Sequence, residues 1–277
     1  MQRRISLRIS SRPGLRRNQW TGELNQYSDK AVFSDRGDFG RFGDVARSSH
    51  DQVARALGNE ILSGALPSGS KLPPEADILK RFGISRTVLR EVFKTLTAKG
   101  LIVAKTRVGT TVLDSSYWNF FDADVLSWKV NQEFDLNFIR ELAEVRVAIE
   151  SAAAEAAASR RTEQDIADMR RHVAAMGAAT SDPREFAEAD LRFHKAVGRA
   201  SGNAMMRSLS AVIETALVAS FRMSSPVNEA DEHKASVRGH AKIVDASEAG
   251  DGKKAAQAMR AIIGHGVSRI EGASKGK

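Results

Sequence analysis

The sequence predicts a mainly α fold class: an N-terminal winged helix-turn-helix followed by a C-terminal all-α antiparallel helical bundle. Three observations point there. Within residues 50–115, helical stretches are joined through Gly83 and followed by two strand-like runs. From Asp135 onward helix formers, Ala above all, run on without strand-like alternation. The charge is also uneven: residues 1–49 carry 10 Lys and Arg against 5 Asp and Glu, residues 50–115 carry 10 against 6, and residues 116–277 carry 22 against 23. A basic head on a neutral body is the pattern of a nucleic-acid module joined to a ligand-binding unit.

The first 49 residues are poor in aliphatics and rich in Arg, Ser, Gly and Asp, and are expected to be a disordered basic tail. A first amphipathic helix is read over His50–Ser63 from Val53, Leu57, Ile61 and Leu62, ending at Gly64. A second helix, Glu75–Phe82, opens behind Pro73-Pro74 and stops at Gly83. The third begins at Ser85, whose hydroxyl suits an N-cap. Val88, Leu89, Val92, Phe93 and Leu96 form its apolar stripe, and Arg86, Arg90 and Lys94 repeat every four residues on the opposite face. After Gly100, residues 101–104 and 110–113 read as two strands joined by the basic turn Lys105-Thr106-Arg107-Val108-Gly109. Taken alone, a basic helix face is an ordinary solvated surface. A tight turn, a Ser-capped basic helix and a basic hairpin together point to double-stranded DNA.

Residues 116–134 read as an aromatic linker, with Tyr117, Trp118, Phe120, Phe121 and Trp128 suited to packing two domains together. The body, residues 135–277, divides at its turn signals into six helices: 135–160, 163–179, 183–200, 203–223, 229–249 and 252–272. Three of them carry polar residues beside apolar stripes. Arg146 borders Phe138, Leu142, Val145 and Ile149, and a guanidinium facing a bundle interior needs an anionic partner from protein or ligand. A carboxylate effector suits its fork of donors, and Arg222 is a second candidate by the same logic. Asp190 and His194 stand at i, i+4 beside Phe186, Ala189, Phe193 and Val197, and His240 lies beside Ile243 and Val244. That spacing suits two ligands of a divalent metal such as zinc, with His240 as a third. On the residues alone, a hydrogen-bonded core histidine and a surface ion pair are the commoner readings of such positions.

Two resemblances add to this. Gly69-Ser70-Lys71-Leu72-Pro73-Pro74-Glu75, Phe82-Gly83-Ile84-Ser85-Arg86-Thr87, Leu89-Arg90-Glu91, Gly100-Leu101-Ile102 and Gly109-Thr110 resemble the signature of the GntR family of bacterial transcription regulators. The resemblance implies that Arg86 and Arg90 read bases and phosphates in the major groove and that Thr106, Arg107 and Gly109 bring the wing to the minor groove, with Lys71, Ser85 and Thr87 as further DNA-binding residues. Ala76 stands where many relatives carry an arginine, so one DNA contact of those relatives is not expected here. Glu144-x-Arg146 with Glu150, Asp190-x-x-Phe193-His194, Ser201-Gly202-Asn203 and His240-x-x-Ile243-Val244-Asp245-Ala246 resemble the effector domain of the FadR-type (FCD) subgroup. There one Asp and three His hold a metal, and a carboxylate effector binds metal and arginines. Asp190, His194 and His240 match three ligands, whereas Ile262 stands at the fourth position and His265 three residues on. The site is therefore expected to be incomplete or rearranged. Either Asp190, His194 and His240 bind metal weakly with water or effector, or Asp190 and His194 hydrogen-bond the effector directly. The effector site expected comprises Arg146, Asp190, His194, Arg222 and His240. The aromatic linker and the lost histidine are similar to D-galactonate-responsive regulators of sugar-acid catabolism.

The expected function is a repressor released from its operator by a small carboxylate or sugar-acid effector. One recognition helix reads too few bases alone, so a homodimer on a pseudo-palindrome is expected. The chain contains no cysteine, which excludes thiolate chemistry, and no run near the ~18 apolar residues of a membrane helix. With no apolar signal-peptide core either, a cytoplasmic protein without a membrane partner is expected. Two alternatives are a metal-dependent helical-bundle enzyme and a non-specific architectural nucleic-acid binder. The first lacks a second carboxylate base in a sensible motif, a nucleophile elbow and a phosphate loop; the second has no need of a large neutral body.

Overall fold

The computed structural model describes residues 48–105, 109–132, 135–223 and 225–275. The tail expected over residues 1–49 lies outside them except for Ser48 and Ser49, the cap and first residue of the first helix. Ser48 caps α1 (Ser49–Leu62) by accepting from the Asp51 N–H. Then follow α2 (Glu75–Phe82), ended by Gly83 in the left-handed conformation at φ 62°, and α3 (Arg86–Ala98). β1 (Ile102–Lys105) and β2 (Gly109–Val112) pair antiparallel with Ile102 opposite Val112 and Lys105 opposite Gly109. This is the winged helix-turn-helix that the sequence predicts. Its core joins Leu57 and Ile61 of α1, Ile78 of α2, Leu89, Val92 and Leu96 of α3, and Leu101, Ile102 and Val112 of the wing. The five-residue stripe read on α3 splits: Leu89, Val92 and Leu96 are buried, while Val88 and Phe93 flank the core half-buried.

The linker is more ordered than an aromatic spacer. It forms α4 (Ala123–Val130), capped by Asp122, which accepts from the Asp124 and Val125 N–H groups. α4 has two apolar faces. Val125 and Trp128 enter the core of the head, while Leu126 joins a separate cluster with Phe138, Leu142, Val212, Ala216 and Ile270. Buried Lys99, at the end of α3, bonds Asp122 at 2.6 Å and Asp124 at 2.8 Å, and Gln132 donates to the Asn59 carbonyl of α1. Gly100 permits the close return of the chain here: at φ 73°, a Cβ would stand 2.1 Å from the Tyr117 carbonyl oxygen.

The body consists of α5 (Leu136–Arg160), α6 (Glu163–Ala178), α7 (Pro183–Ala200), α8 (Ala204–Ser208), α9 (Ser210–Met223), α10 (Ala230–Glu248) and α11 (Gly252–Lys275). The helix expected over 203–223 is two helices, broken at Leu209. Thr162 and Asp165 close a capping box on α6, and Asp182-Pro183 opens α7, as such residues do at helix starts. α5 lies centrally, packed against α7, α9, α10 and α11. The main core draws Ala153, Ala157, Met169, Phe186, Phe193, Val197, Ile243, Val244 and Met259 from five helices.

Candidate functional site

On the head, α3 turns Leu89, Val92 and Leu96 inward, which leaves Arg86, Thr87 and Arg90 exposed along the outer face. Ser85 accepts from the Val88 N–H at 3.3 Å and fixes the first turn. Neither Arg86 nor Arg90 is tied up in an ion pair among the described residues, whereas Lys94 pairs with Glu91 at 2.8 Å. Lys71 is exposed and bridges to Thr111, beside the wing. Gly109 opens β2 at φ 98°. Thr106 and Arg107, expected at the wing tip, lie outside the described residues.

The body brings four of its five predicted site residues together. Arg146 on α5, Asp190 and His194 on α7, and His240 on α10 are all buried, between 1% and 7% exposed. Ligand atoms of Asp190, His194 and His240 lie within 4.8 Å of one another. His240 Nε2 stands 2.9 Å from Asp190 Oδ1, and His194 Nε2 3.8 Å from Asp190 Oδ2. Phe193 seals the group, its ring edge-on to both imidazoles at 5.7 and 5.0 Å. The fifth predicted residue, Arg222, lies in α9, and its side chain is outside the described set.

Glu150, quoted in the sequence motif but assigned no role, belongs to the same group. Its Oε1 accepts from Arg146 Nε at 2.5 Å, one turn away on α5, and its Oε2 lies against His194 Nδ1. Burial alone would raise the Glu150 carboxyl, but the charge of Arg146, then that of His194, outweighs it and holds the pKa at about 2. Asp190 follows the same logic: burial raises it, and the charges that His240 and His194 carry when protonated, with that of Arg146, bring it to about 2. Arg269 of α11 is a further cation of this region. Burial pulls its guanidinium down, against the negative charges of Asp190, Glu232 and Glu229. The i, i+4 spacing of Arg146 and Glu150 was a readable signal; the approach of Arg269 depends on how α11 docks.

The donor set fits a divalent cation. His240 Nδ1 lies 2.8 Å from the Ser236 carbonyl oxygen, an acceptor only, so Nδ1 carries a proton. In the neutral ring Nε2 then presents a lone pair to the Asp190 carboxylate. The contact is not an aligned hydrogen bond, and His240 Nε2 and His194 Nδ1 are both buried without an in-line partner. A lone pair and a carboxylate repel unless positive charge lies between them or the ring is protonated. One carboxylate and two imidazoles make an acceptable zinc set. A fourth histidine is absent from the position the resemblance gives. Ile262 packs on α10, where a Cβ at Gly239 would meet its Cδ1 at 2.7 Å, and His265 Nε2 pairs with Glu232 at 2.7 Å. His265 thus does not join Asp190, His194 and His240 among the described residues.

Arg146 also borders a second space. A cavity between α5, α9 and α11 is lined by Arg146, Leu142, Ala216, Ile263, Gly266 and Ile270. Leu142, Ala216 and Ile270 belong to the cluster that receives Leu126 of α4.

Comparison with known proteins identifies the two parts of the chain. Residues 49–112 match the family described as bacterial regulatory proteins, gntR family, and residues 141–265 match the FCD domain. The galactonate operon transcriptional repressor of Escherichia coli K12 is 34% identical over 221 residues, covering 80% of this chain and 96% of that one. The putative L-lactate dehydrogenase operon regulatory protein of the same strain is 28% identical over 229 residues, covering 79% and 85%. A solved structure of Lar, which controls expression of the Listeria monocytogenes agr system, superposes with a TM-score of 0.53 at 18% identity. It covers 82% of this chain and 99% of Lar, a likeness of fold.

Proposed function

Given that the chain belongs to the GntR family of bacterial regulatory proteins, with an FCD domain as its body, we propose that it represses an operon for sugar-acid catabolism and leaves its operator when a 2-hydroxycarboxylate enters the body. The family is one of DNA-binding transcription regulators and not of enzymes. Galactonate and L-lactate, the acids in the names of the two relatives, share a carboxylate beside a hydroxyl-bearing carbon.

The observation that carries the reading is the buried Arg146 guanidinium, whose Nη2 stands 3.5 Å from His194 Nε2, beside the Asp190–His240 pair. A fixed cation and a set of metal-ligand atoms converge there on one point. Asp190, His194 and His240 would hold a divalent metal, and when bound it supplies a Lewis-acid partner for an effector carboxylate and hydroxyl. Arg146 offers paired N–H donors to the same carboxylate, as guanidinium groups do. The Arg269 guanidinium adds positive charge on the α11 side.

The head reads DNA in this proposal through Lys71, Ser85, Arg86, Thr87 and Arg90, with Thr106, Arg107 and Gly109 from the wing. Two heads in a homodimer meet two half-sites. The signal passes through α4, because Leu126 packs on the helices that enclose Arg146 while Val125 and Trp128 pack in the head. No helix among the described residues is long and apolar enough to cross a membrane, and action on operator DNA places the protein in the cytoplasm. A thermal-shift screen of D-galactonate, L-lactate and related acids, with and without chelator, tests the reading. A true effector at 100 times its Kd raises stability by about 2.7 kcal/mol; no shift from any 2-hydroxycarboxylate would refute it.

A further inference from the structure

We propose that Glu150 is the positioning residue of the chamber, its two carboxylate oxygens fixing at once the imidazole of His194 and the guanidinium of Arg146. The inference rests on the reading of the chamber as a metal and carboxylate site, and assigns the role of a residue outside the ligand set.

Glu150 is 3% exposed in an apolar bundle, where an unpaired carboxylate is costly. It persists because α5 supplies Arg146 one turn away, and α7 places His194 against it. The two oxygens have different tasks. Oε1 takes Arg146 Nε at 2.5 Å, which fixes the plane of the guanidinium and leaves its Nη edge toward His194 Nε2. Oε2 faces His194 Nδ1 across a bent contact, and a carboxylate there favours the proton on Nδ1. The lone pair of His194 is thereby assigned to Nε2, the ring nitrogen on the side of Asp190. His240 is set the same way, its Nδ1 proton given to the Ser236 carbonyl. Both imidazoles thus turn Nε2 toward one point, each through an acceptor behind it. An acceptor behind a ligating histidine fixes its tautomer and raises its basicity.

Glu150 is not itself a ligand. Its Oε1 is taken by Arg146 and its Oε2, without an aligned hydrogen bond, faces His194 Nδ1, while the ligand atoms that converge belong to Asp190, His194 and His240. One side chain therefore couples the two halves of the chamber, the imidazole that would hold metal and the guanidinium that would hold carboxylate.

The test is a double-substitution cycle on the full chain, stripped with chelator and titrated with Zn2+ against a chromophoric competitor. Glu150→Gln should weaken Zn2+ binding by about 10–100-fold, the usual cost of losing such a partner, and alter the visible spectrum of bound Co2+. In a His194→Ala background the same substitution should change Zn2+ affinity little, since the ring it orients is gone. An equal loss in both backgrounds, or an unchanged affinity and Co2+ spectrum in Glu150→Gln, would overturn the proposal. Should Glu150→Gln not fold, 15N NMR of the metal-free wild type decides: a proton on His194 Nδ1 supports the assignment and a proton on Nε2 overturns it. Wild-type protein that binds no Zn2+ would sink the metal reading instead, and the His194 tautomer would still decide the role of Glu150.

Discussion

The indole of Trp128 occupies the notch left by Gly58: a Cβ at position 58 would stand 2.4 Å from Trp128 Cζ3 and 2.5 Å from Cε3. A glycine in mid-helix ordinarily weakens a helix by about 1 kcal/mol relative to alanine. Here it lets the linker helix lie against α1, with Lys99 near the same ring, 5.4 Å from its centroid. α4 is therefore keyed into the head through Trp128, while its Leu126 packs on the body.

Gly58→Ala is expected to destabilise the head despite the better helix propensity. Overpacking a filled core costs about 1–3 kcal/mol, and the displaced indole should show altered tryptophan fluorescence. Denaturant melts of the two proteins check this. An alanine variant as stable as wild type, with the same emission, would show that the α1–α4 contact is looser than described.

Arg86 and Arg90 point outward one turn apart from a helix whose other face is buried. Each Arg→Ala is expected to weaken operator binding by about 1–3 kcal/mol if it meets a base edge. Removing residues 1–47 should leave sequence preference intact. Fluorescence anisotropy at physiological salt, with operator and scrambled duplexes, separates the two effects. Unchanged operator affinity in both arginine variants would move the recognition surface elsewhere.

The chamber predicts an acid limb. Glu150 and Asp190 are held at about 2, against ordinary values of 4.5 and 3.8. A carboxyl lowered in the folded state contributes stability that is complete above its unfolded pKa and is lost as pH falls through the folded one. Melting temperature should therefore fall as pH drops from about 4.5 toward 2. Other lowered carboxylates, Asp165 and Asp251 among them, share the limb, so the comparison is with Asp190→Asn. Identical acid slopes in wild type and variant would contradict the pairing of Asp190 with its cationic neighbours.

Much of this was legible in the chain. Ser85, Thr162 with Asp165, and Asp182-Pro183 mark helix starts by chemistry that needs no tertiary context, and those starts lie where expected. The spacing of Asp190 and His194 put both on one face, and His240 meets them. α4 was not legible as a helix, since Val125, Trp128 and Leu126 serve two different cores and make no single stripe. The break at Leu209 has no glycine or proline to announce it. Glu150 was passed over because an i, i+4 Arg–Glu pair is ordinarily a solvated surface pair; only the docking of α7 onto α5 buries it. The place of Arg269 depends on α11 lying beside α10 and α5, which spacing along one helix does not reveal.

The most direct test of the account is operator release by a small hydroxy acid. An operator duplex selected from a random pool by the protein itself would be labelled and titrated with wild type and Arg146→Ala, each with rising D-galactonate, in the presence and absence of Zn2+. Wild type should lose operator affinity saturably, by about 5–150-fold, the usual range of coupling between two sites. The release should weaken without metal, and Arg146→Ala should stay on the operator at the same concentrations. Release of both proteins alike, or wild-type binding indifferent to D-galactonate and L-lactate at every metal concentration, would contradict the assignment of this chamber as the switch.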